Sequence, residues 1–339
     1  GIAGNLFGLP FDHEQAELVV VPIPWEVTVS YHTGTASGPE SILKASSQLD
    51  VFVNDIPNAW KLGVAMLPIP QQLSEESKKL RALTARHIAR LEKGESFDAE
   101  DPVLKTMNEA SENLNIYVKS ITQKYLKAGK IVGLVGGEHG VPLGFLRALS
   151  EQYDRFGILQ IDAHADLRKS YEGFTYSHAS IMFNVLKLPA VGRLVQVGIR
   201  DYCEEEVNVI QRAMGRVVTF FDEDLKEKMY KGKSWDMVCD EIVAQLPKNV
   251  YISFDIDGLD PKLCPSTGTP VPGGLEFHQA MHLIKKVVLA DRKIIGFDLC
   301  EVSPGHDDWD ANVGARVLYQ LCNLCAVSQK KLMLKKQVP

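Results

Sequence analysis

The chain has 339 residues, of which 45% are hydrophobic and 24% charged, with a formal net charge of -6. These are the proportions of a soluble globular protein with a full core. They leave no general basic surface for nucleic acid, and no apolar run approaches the roughly 18 residues that span a bilayer. A single large domain over 1–329 is expected, followed by a basic, solvated tail at 330–339 that carries two lysine pairs, Lys330-Lys331 and Lys335-Lys336.

In chain order, residues 1–12 lack a charged leader region, and 18–21 and 62–66 read as short strands. Two amphipathic stretches, 75–91 and 104–126, predict helices; the polar segment 93–102 between them is a loop and the best candidate for disorder. Further strand-like runs follow at 131–135, 156–161, 194–197, 217–220, 250–254 and 294–297. Strands alternating with helical patterns predict a parallel sheet covered on both faces. No internal repeat is present. The six cysteines are scattered and follow no secretory signal, so reduced thiols in a cytoplasmic protein are expected. Cys322 and Cys325 form a lone CxxC, with no second pair to complete a zinc site, and read as residues on a helix face.

Two of the strand-like runs end in carboxylates at alternating positions: Asp162-Ala163-His164-Ala165-Asp166 and Asp255-Ile256-Asp257. In an extended chain each set would share one face, so five potential ligands would converge at the carboxyl ends of two buried parallel strands, where open α/β sheets bind ligands. The plainer reading is turn formers or helix N-caps. Against it, clustered carboxylates repel one another and need a cation to coexist. A third strand runs into Gly136-Gly137-Glu138-His139-Gly140, whose glycines permit a tight turn. His139 is there either a sixth ligand or a simple turn residue; no GxxxxGK[ST] phosphate loop is present. Carboxylate and imidazole donors without a thiolate favour a hard or borderline divalent ion, Mn²⁺ first, and a pair of such ions activates water for hydrolysis.

The segments GGEHG, DAHAD and SFDIDGLDP, with Ser266-Thr267-Gly268-Thr269-Pro270-Val271-Pro272-Gly273-Gly274 after the last, closely resemble the ureohydrolases: arginase, agmatinase and their relatives. The resemblance runs from Tyr31-His32-Thr33-Gly34 and Gly38-Pro39 to Glu301-Val302-Ser303-Pro304. It implies a three-layer α/β/α fold with a mostly parallel, roughly eight-stranded sheet. It also implies two Mn²⁺ per chain, hydrolysis of a guanidino or amidino group with urea usually released, and a homo-oligomer, trimer or hexamer. Carried over residue by residue, it assigns one ion to His139, Asp162, Asp166 and Asp255, and the other to Asp162, His164, Asp255 and Asp257. Asp166 would also accept a hydrogen bond from the nucleophile. His178 matches a histidine that relays protons to the leaving amine, although with Ser177 as N-cap it also reads as part of a helix start. Glu301 matches a glutamate that holds the guanidinium, where a lone Glu after a strand is otherwise a turn residue. Two positions depart from the usual motif, Glu138 in place of Asp and Gly140 in place of Ser; the ligand set survives, the orientation of His139 is left open, and altered metal affinity sooner than lost activity is the expected result.

For the substrate, the Asp166-Leu167-Arg168, Tyr171-Glu172-Gly173 and Tyr176-Ser177-His178 pattern looks more like agmatinases, which implies agmatine hydrolysed to putrescine. Arginine, guanidinobutyrate and formiminoglutamate are the alternatives. Arg168 could pair with a substrate carboxylate, which would favour those alternatives, or it could pair structurally with Glu172 or Asp201. Asp201 suits a cationic tail. A single-zinc deacetylase-like hydrolase is disfavoured by six ligands, and a non-catalytic relative by the retention of all of them.

Overall fold

The structure is a computed structural model in which residues 1–96, 98 and 101–335 are described. Eight strands form one parallel sheet: β1 (Leu18–Ile23), β2 (Val64–Met66), β3 (Ile131–Gly136), β4 (Phe156–Ile161), β5 (Val191–Ile199), β6 (Val217–Phe221), β7 (Asn249–Asp255) and β8 (Lys293–Cys300). Their order is β2-β1-β3-β8-β7-β4-β5-β6, and every pairing is parallel. All eight predicted strands are present. The second is shorter than its apolar run, because Leu62 closes a 3₁₀ turn (Ala59–Leu62) and Gly63 takes a positive φ of 74°.

Alternation along the buried strands divides the core in two. Val20, Leu159, Val197, Ile252 and Phe297 face one layer, built from α1 (Gly38–Ser46), α8 (Trp235–Val243), α9 (Phe277–Leu289) and α10 (Trp309–Ser328). Val19, Leu134, Ile158, Leu194 and Tyr251 face the other, built from α2 (Gln71–Glu92), α3 (Pro102–Lys127), α4 (Leu143–Gln152) and α5 (Ile181–Val185). Two further helices, α6 (Glu204–Arg212) and α7 (Asp222–Tyr230), follow β5 and β6. The result is the expected three-layer α/β/α arrangement. A parallel sheet buried on both faces explains why its strands read as unbroken apolar runs.

Predicted helices 75–91 and 104–126 are α2 and α3. Pro102 occupies the first turn of α3, where its missing N–H costs nothing, and Asp101 caps that turn by accepting from Val103 N at 2.8 Å. Phe97, Ala99 and Glu100, in the loop expected to be disordered, lie outside the described residues. Cys322 and Cys325 are buried on α10. The described part of the C-terminal stretch is docked, contrary to the expected solvated tail. Leu332 and Leu334 pack on the core, Lys331 pairs with Glu17 at 2.8 Å, and Lys335 N donates to Asp55 O at 2.8 Å. The reason is the apolar block between the two lysine pairs, from which Leu332 and Leu334 turn inward while Met333 stays exposed. Among the described residues no helix is long and apolar enough to cross a membrane.

Candidate metal centre

The four central strands β3, β8, β7 and β4 lie side by side, so the turns leaving their carboxyl ends meet over the middle of the sheet. After β3, Gly137 N donates to Ile23 O and Glu138 N to Trp25 O, both at 2.9 Å. A Cβ on Gly137 would sit 1.9 Å from the Trp25 carbonyl oxygen, so only glycine permits this approach. After β7, a Cβ on Gly258 would lie 2.6 Å from Asp162 N, and glycine again lets two ligand-bearing turns touch.

The predicted ligands converge, but not by alternation along an extended strand. β4 stops at Ile161; His164 N then donates to Asp162 Oδ1 at 2.6 Å, and Asp166 takes a left-handed φ of 53°. Asp257 sits in a 3₁₀ turn (Ile256–Gly258), donating its N–H to Asp255 Oδ1 at 2.9 Å. Self-bonded Asx turns displace strand geometry as soon as the ladder ends. The left-handed Asp166 is held by its own carbonyl, which accepts from Met182 N and Phe183 N at 3.0 and 3.2 Å.

His139 Nδ1 lies 3.0 Å from Asp162 Oδ2, 3.0 Å from Asp166 Oδ2 and 3.4 Å from Asp255 Oδ2. His164 Nδ1 lies 3.6 Å from Asp162 Oδ1 and 3.1 Å from Asp257 Oδ2. Two groups therefore have donor atoms mutually close enough to hold an ion: His139, Asp162 and Asp255, and Asp162, His164 and Asp257. Asp162 belongs to both. Glu301 adjoins the first group, with its Oε1 accepting from His139 N at 2.7 Å.

The electrostatics fit cations. Asp162, Asp166, Asp255, Asp257 and Glu301 are all buried, and among the described residues the ion pairs of the four aspartates are with His139 and His164. Burial and the neighbouring Asp257 and Asp162 push Asp255 well above the carboxylate range, and burial with the Asp162 charge raises Asp166 to about 7. Burial opposes charge on Asp162 too, yet hydrogen bonds from His139 and His164 outweigh it and hold that carboxyl low. For His139 burial is likewise outweighed, by Asp162 and Asp166, and its pKa lies well above the ordinary value. So many desolvated carboxylates against two imidazoles form a site that divalent ions satisfy better than protons do.

A supporting row of polar side chains escaped the sequence reading. Thr219, Gln196, Gln160, Ser253 and Asp298 are direct register neighbours on β6, β5, β4, β7 and β8. Thr219 Oγ1 donates to Gln196 Oε1, Gln196 Nε2 to Gln160 Oε1, and Gln160 Nε2 to Asp162 Oδ2, at 2.7–2.9 Å. On the other side His139 Nε2 lies 2.8 Å from Ser253 Oγ, which donates to Asp298 Oδ2 at 2.9 Å. The signal was a polar residue within or directly after each of these apolar runs, buried at Gln196, Gln160, Ser253 and Asp298 and half-buried at Thr219. Glu138, one of the two departures from the usual motif, turns its Oε2 away from His139 to accept from Val27 N, Thr28 N and Thr28 Oγ1 at 3.1, 2.8 and 2.9 Å.

Above the cluster opens a cavity of about 120 Å³ lined by His164, Asp166, Arg168, Tyr171, His178, Asp201, Glu206 and Thr269, among others. His178 stands at its wall, and Ser177 does cap the short turn that follows, accepting from Ala179 N at 3.1 Å. Glu301 is not among the lining residues. Arg168 pairs with neither Glu172 nor Asp201. Its Nε is 3.9 Å from Glu206 Oε2, and its guanidinium lies 5.2 Å from the centroid of the Tyr171 ring. Glu206 is buried because it also caps the turn, accepting from Leu167 N and Cys203 N. Asp201 is an exposed rim residue, 3.7 Å from His164 Nε2.

Comparison with known proteins adds three findings. The model of the arginase family matches residues 16–323. The chain is 31% identical over 314 residues to the N(1)-aminopropylagmatine ureohydrolase of Thermus thermophilus, covering 92% of this chain and 91% of that one, and 30% identical over 299 residues to the agmatinase of Bacillus anthracis, covering 88% and 87%. Among solved structures, the agmatine ureohydrolase of Thermoplasma volcanium superposes with a TM-score of 0.74 at 27% identity, covering 97% of this chain and 96% of that one.

Proposed function

The chain belongs to the arginase family and is a ureohydrolase, and from that premise we propose that it is a manganese-dependent enzyme of the agmatinase type that converts agmatine to putrescine and urea. The carrying observation is the pair of ligand groups that share Asp162. In this reading His139, Asp162, Asp166 and Asp255 hold one Mn²⁺, and Asp162, His164, Asp255 and Asp257 hold the other. When bound, the ions lower the pKa of water and polarise the guanidino group. Asp166 accepts a hydrogen bond from the attacking water, Glu301 pairs with the guanidinium, and His178 carries a proton to the departing amine.

The charge of the cavity supports a cationic tail. Beyond the ligands, its ionised side chains are Arg168, Asp201 and Glu206, and Arg168 already faces Glu206. A guanidinium so engaged is a weak receptor for a substrate carboxylate, whereas Asp201 stays exposed for an amine. Relatives named for agmatine and aminopropylagmatine fit the same preference. A trimer or hexamer in the cytoplasm belongs to the same proposal; the six unbridged cysteines, five of them buried, suit a reducing compartment.

The test is a product assay of the Mn²⁺-loaded protein with agmatine, arginine, guanidinobutyrate and formiminoglutamate, measuring urea and formamide separately. Urea from agmatine at the highest kcat/KM is expected. Preference for a substrate bearing a carboxylate would overturn the assignment of the tail, and failure to bind two ions per chain would overturn the metal assignment.

A further inference from the structure

The proton-relay role of His178 raises the question of which ring nitrogen does the work, and a neighbour distant in sequence answers it. Thr28 lies in the segment after β1, 150 residues away in sequence. Its Oγ1 makes three contacts: Glu138 Oε2 at 2.9 Å, His178 N at 3.1 Å and His178 Nδ1 at 3.1 Å.

A hydroxyl has one proton to give. Glu138 Oε2 already accepts from Val27 N and Thr28 N, so it is an oxygen committed to accepting whether or not the other carboxyl oxygen carries a proton. The Thr28 proton therefore goes to Glu138. The lone pairs of Thr28 Oγ1 are left to accept, one from the backbone N–H of His178 and one from its ring. That ring contact closes only if Nδ1 carries hydrogen. Both Thr28 and Glu138 are buried, which shields their contacts from bulk water.

We propose that Thr28, anchored by Glu138, is a positioning residue that fixes His178 as the Nδ1–H tautomer and leaves Nε2 as the nitrogen that exchanges a proton in the cavity. The inference rests on the ureohydrolase reading for its catalytic consequence. Nε2 takes the proton released by the attacking water and returns it to the departing nitrogen as the C–N bond breaks, so the ring finishes the cycle as it began. The wrong tautomer would present an N–H to the cavity and could not accept that proton. Glu138 thereby acquires a purpose: its carboxylate reaches the Val27-Thr28 backbone, two residues beyond the Trp25 carbonyl against which Gly137 is packed.

Two measurements test the proposal. The first is the ¹⁵N spectrum of histidine-labelled protein loaded with diamagnetic Zn²⁺, with the His178 signals identified by their loss in His178→Asn. Nδ1–H is expected in the wild type and in Thr28→Ser, with a shift towards Nε2–H in Thr28→Val; an Nε2–H wild type overturns the proposal without any need for a variant that folds. The second is steady-state urea release by the Mn²⁺ enzyme. Thr28→Val should lower kcat about 10–100-fold with KM little changed, and Thr28→Ser should recover most of the loss. In a His178→Asn background Thr28→Val should cost nothing further, whereas additive losses would show a merely structural threonine. A wild type that releases no urea would count against the functional reading alone, because the spectrum decides the tautomer separately.

Discussion

The backbone N–H of His139 donates to Glu301 Oε1 at 2.7 Å, joining the turn after β3 to the residue that follows β8. Glu301 adopts a left-handed φ of 64°, a conformation that costs a non-glycine residue free energy and persists only where the surroundings impose it. Thr267 Oγ1 donates to the Glu301 carbonyl at 2.7 Å, and Glu301 N donates to Gly137 O at 2.9 Å. A Cβ on Gly268 would sit 3.0 Å from Glu301 Oε2. The carboxylate is held by its backbone, its neighbour turn and a glycine that makes room for it.

Glu301→Gln keeps the acceptor for His139 N but removes the charge that, in the proposed reading, would pair with a guanidinium. A charge-assisted hydrogen bond contributes about 1.5–3 kcal/mol, so kcat/KM should fall roughly 10–100-fold with metal content unchanged. Activity equal to wild type would reduce Glu301 to a support for the His139 turn.

Asp162→Asn should deplete both ions together, because Asp162 is common to the two ligand groups. Metal analysis after dialysis is expected to show fewer than two ions per chain and urea release to be lost. Retention of both ions would refute the shared role.

Ser253→Ala breaks the link between His139 Nε2 and Asp298 without replacing any of the proposed ligands. Partners that orient a ligating imidazole typically contribute 10–100-fold in metal affinity or activity. A competition titration with a chelator should show Mn²⁺ binding weakened within that range, and unchanged affinity would mean that the polar row serves the sheet alone.

The His178 environment predicts a pH dependence. Burial, reinforced by His164 and His139, lowers its pKa to about 3, against about 6.5 in an unfolded chain. Between these values the unfolded state binds the additional proton, so this group makes stability fall as the pH drops from about 6.5 towards 3 and has no effect above that window. In chelator-treated protein, urea midpoints measured across that range should decline less steeply for His178→Gln than for wild type. Parallel slopes would show that His178 is not buried in its neutral form.

Much of this was readable in the sequence, for physical reasons that can be named. A parallel sheet with both faces covered demands apolar strands, so β1, β3, β4, β7 and β8 stood out as runs of Val, Ile, Leu and Phe. Asp162, His164, Asp166, Asp255 and Asp257 are close in sequence to the strand ends that carry them, so their grouping was local information. Their convergence was expected from alternation, yet the structure achieves it through Asx turns and a left-handed Asp166. The fold brought the same residues together through a different local geometry.

What only the tertiary structure decided depends on contacts between segments far apart in the chain. Strand order set Thr219, Gln196, Gln160, Ser253 and Asp298 in one hydrogen-bonded row. Arg168 found Glu206 because α6 begins beside the ligand turn, and Glu138 found Thr28 across 110 residues because β1 and β3 are sheet neighbours. A sequence specifies its own backbone preferences residue by residue, but a hydrogen bond between distant side chains exists only once the whole sheet has been ordered. The candidate donor set was therefore written in the chain, and the wiring that orients it was not.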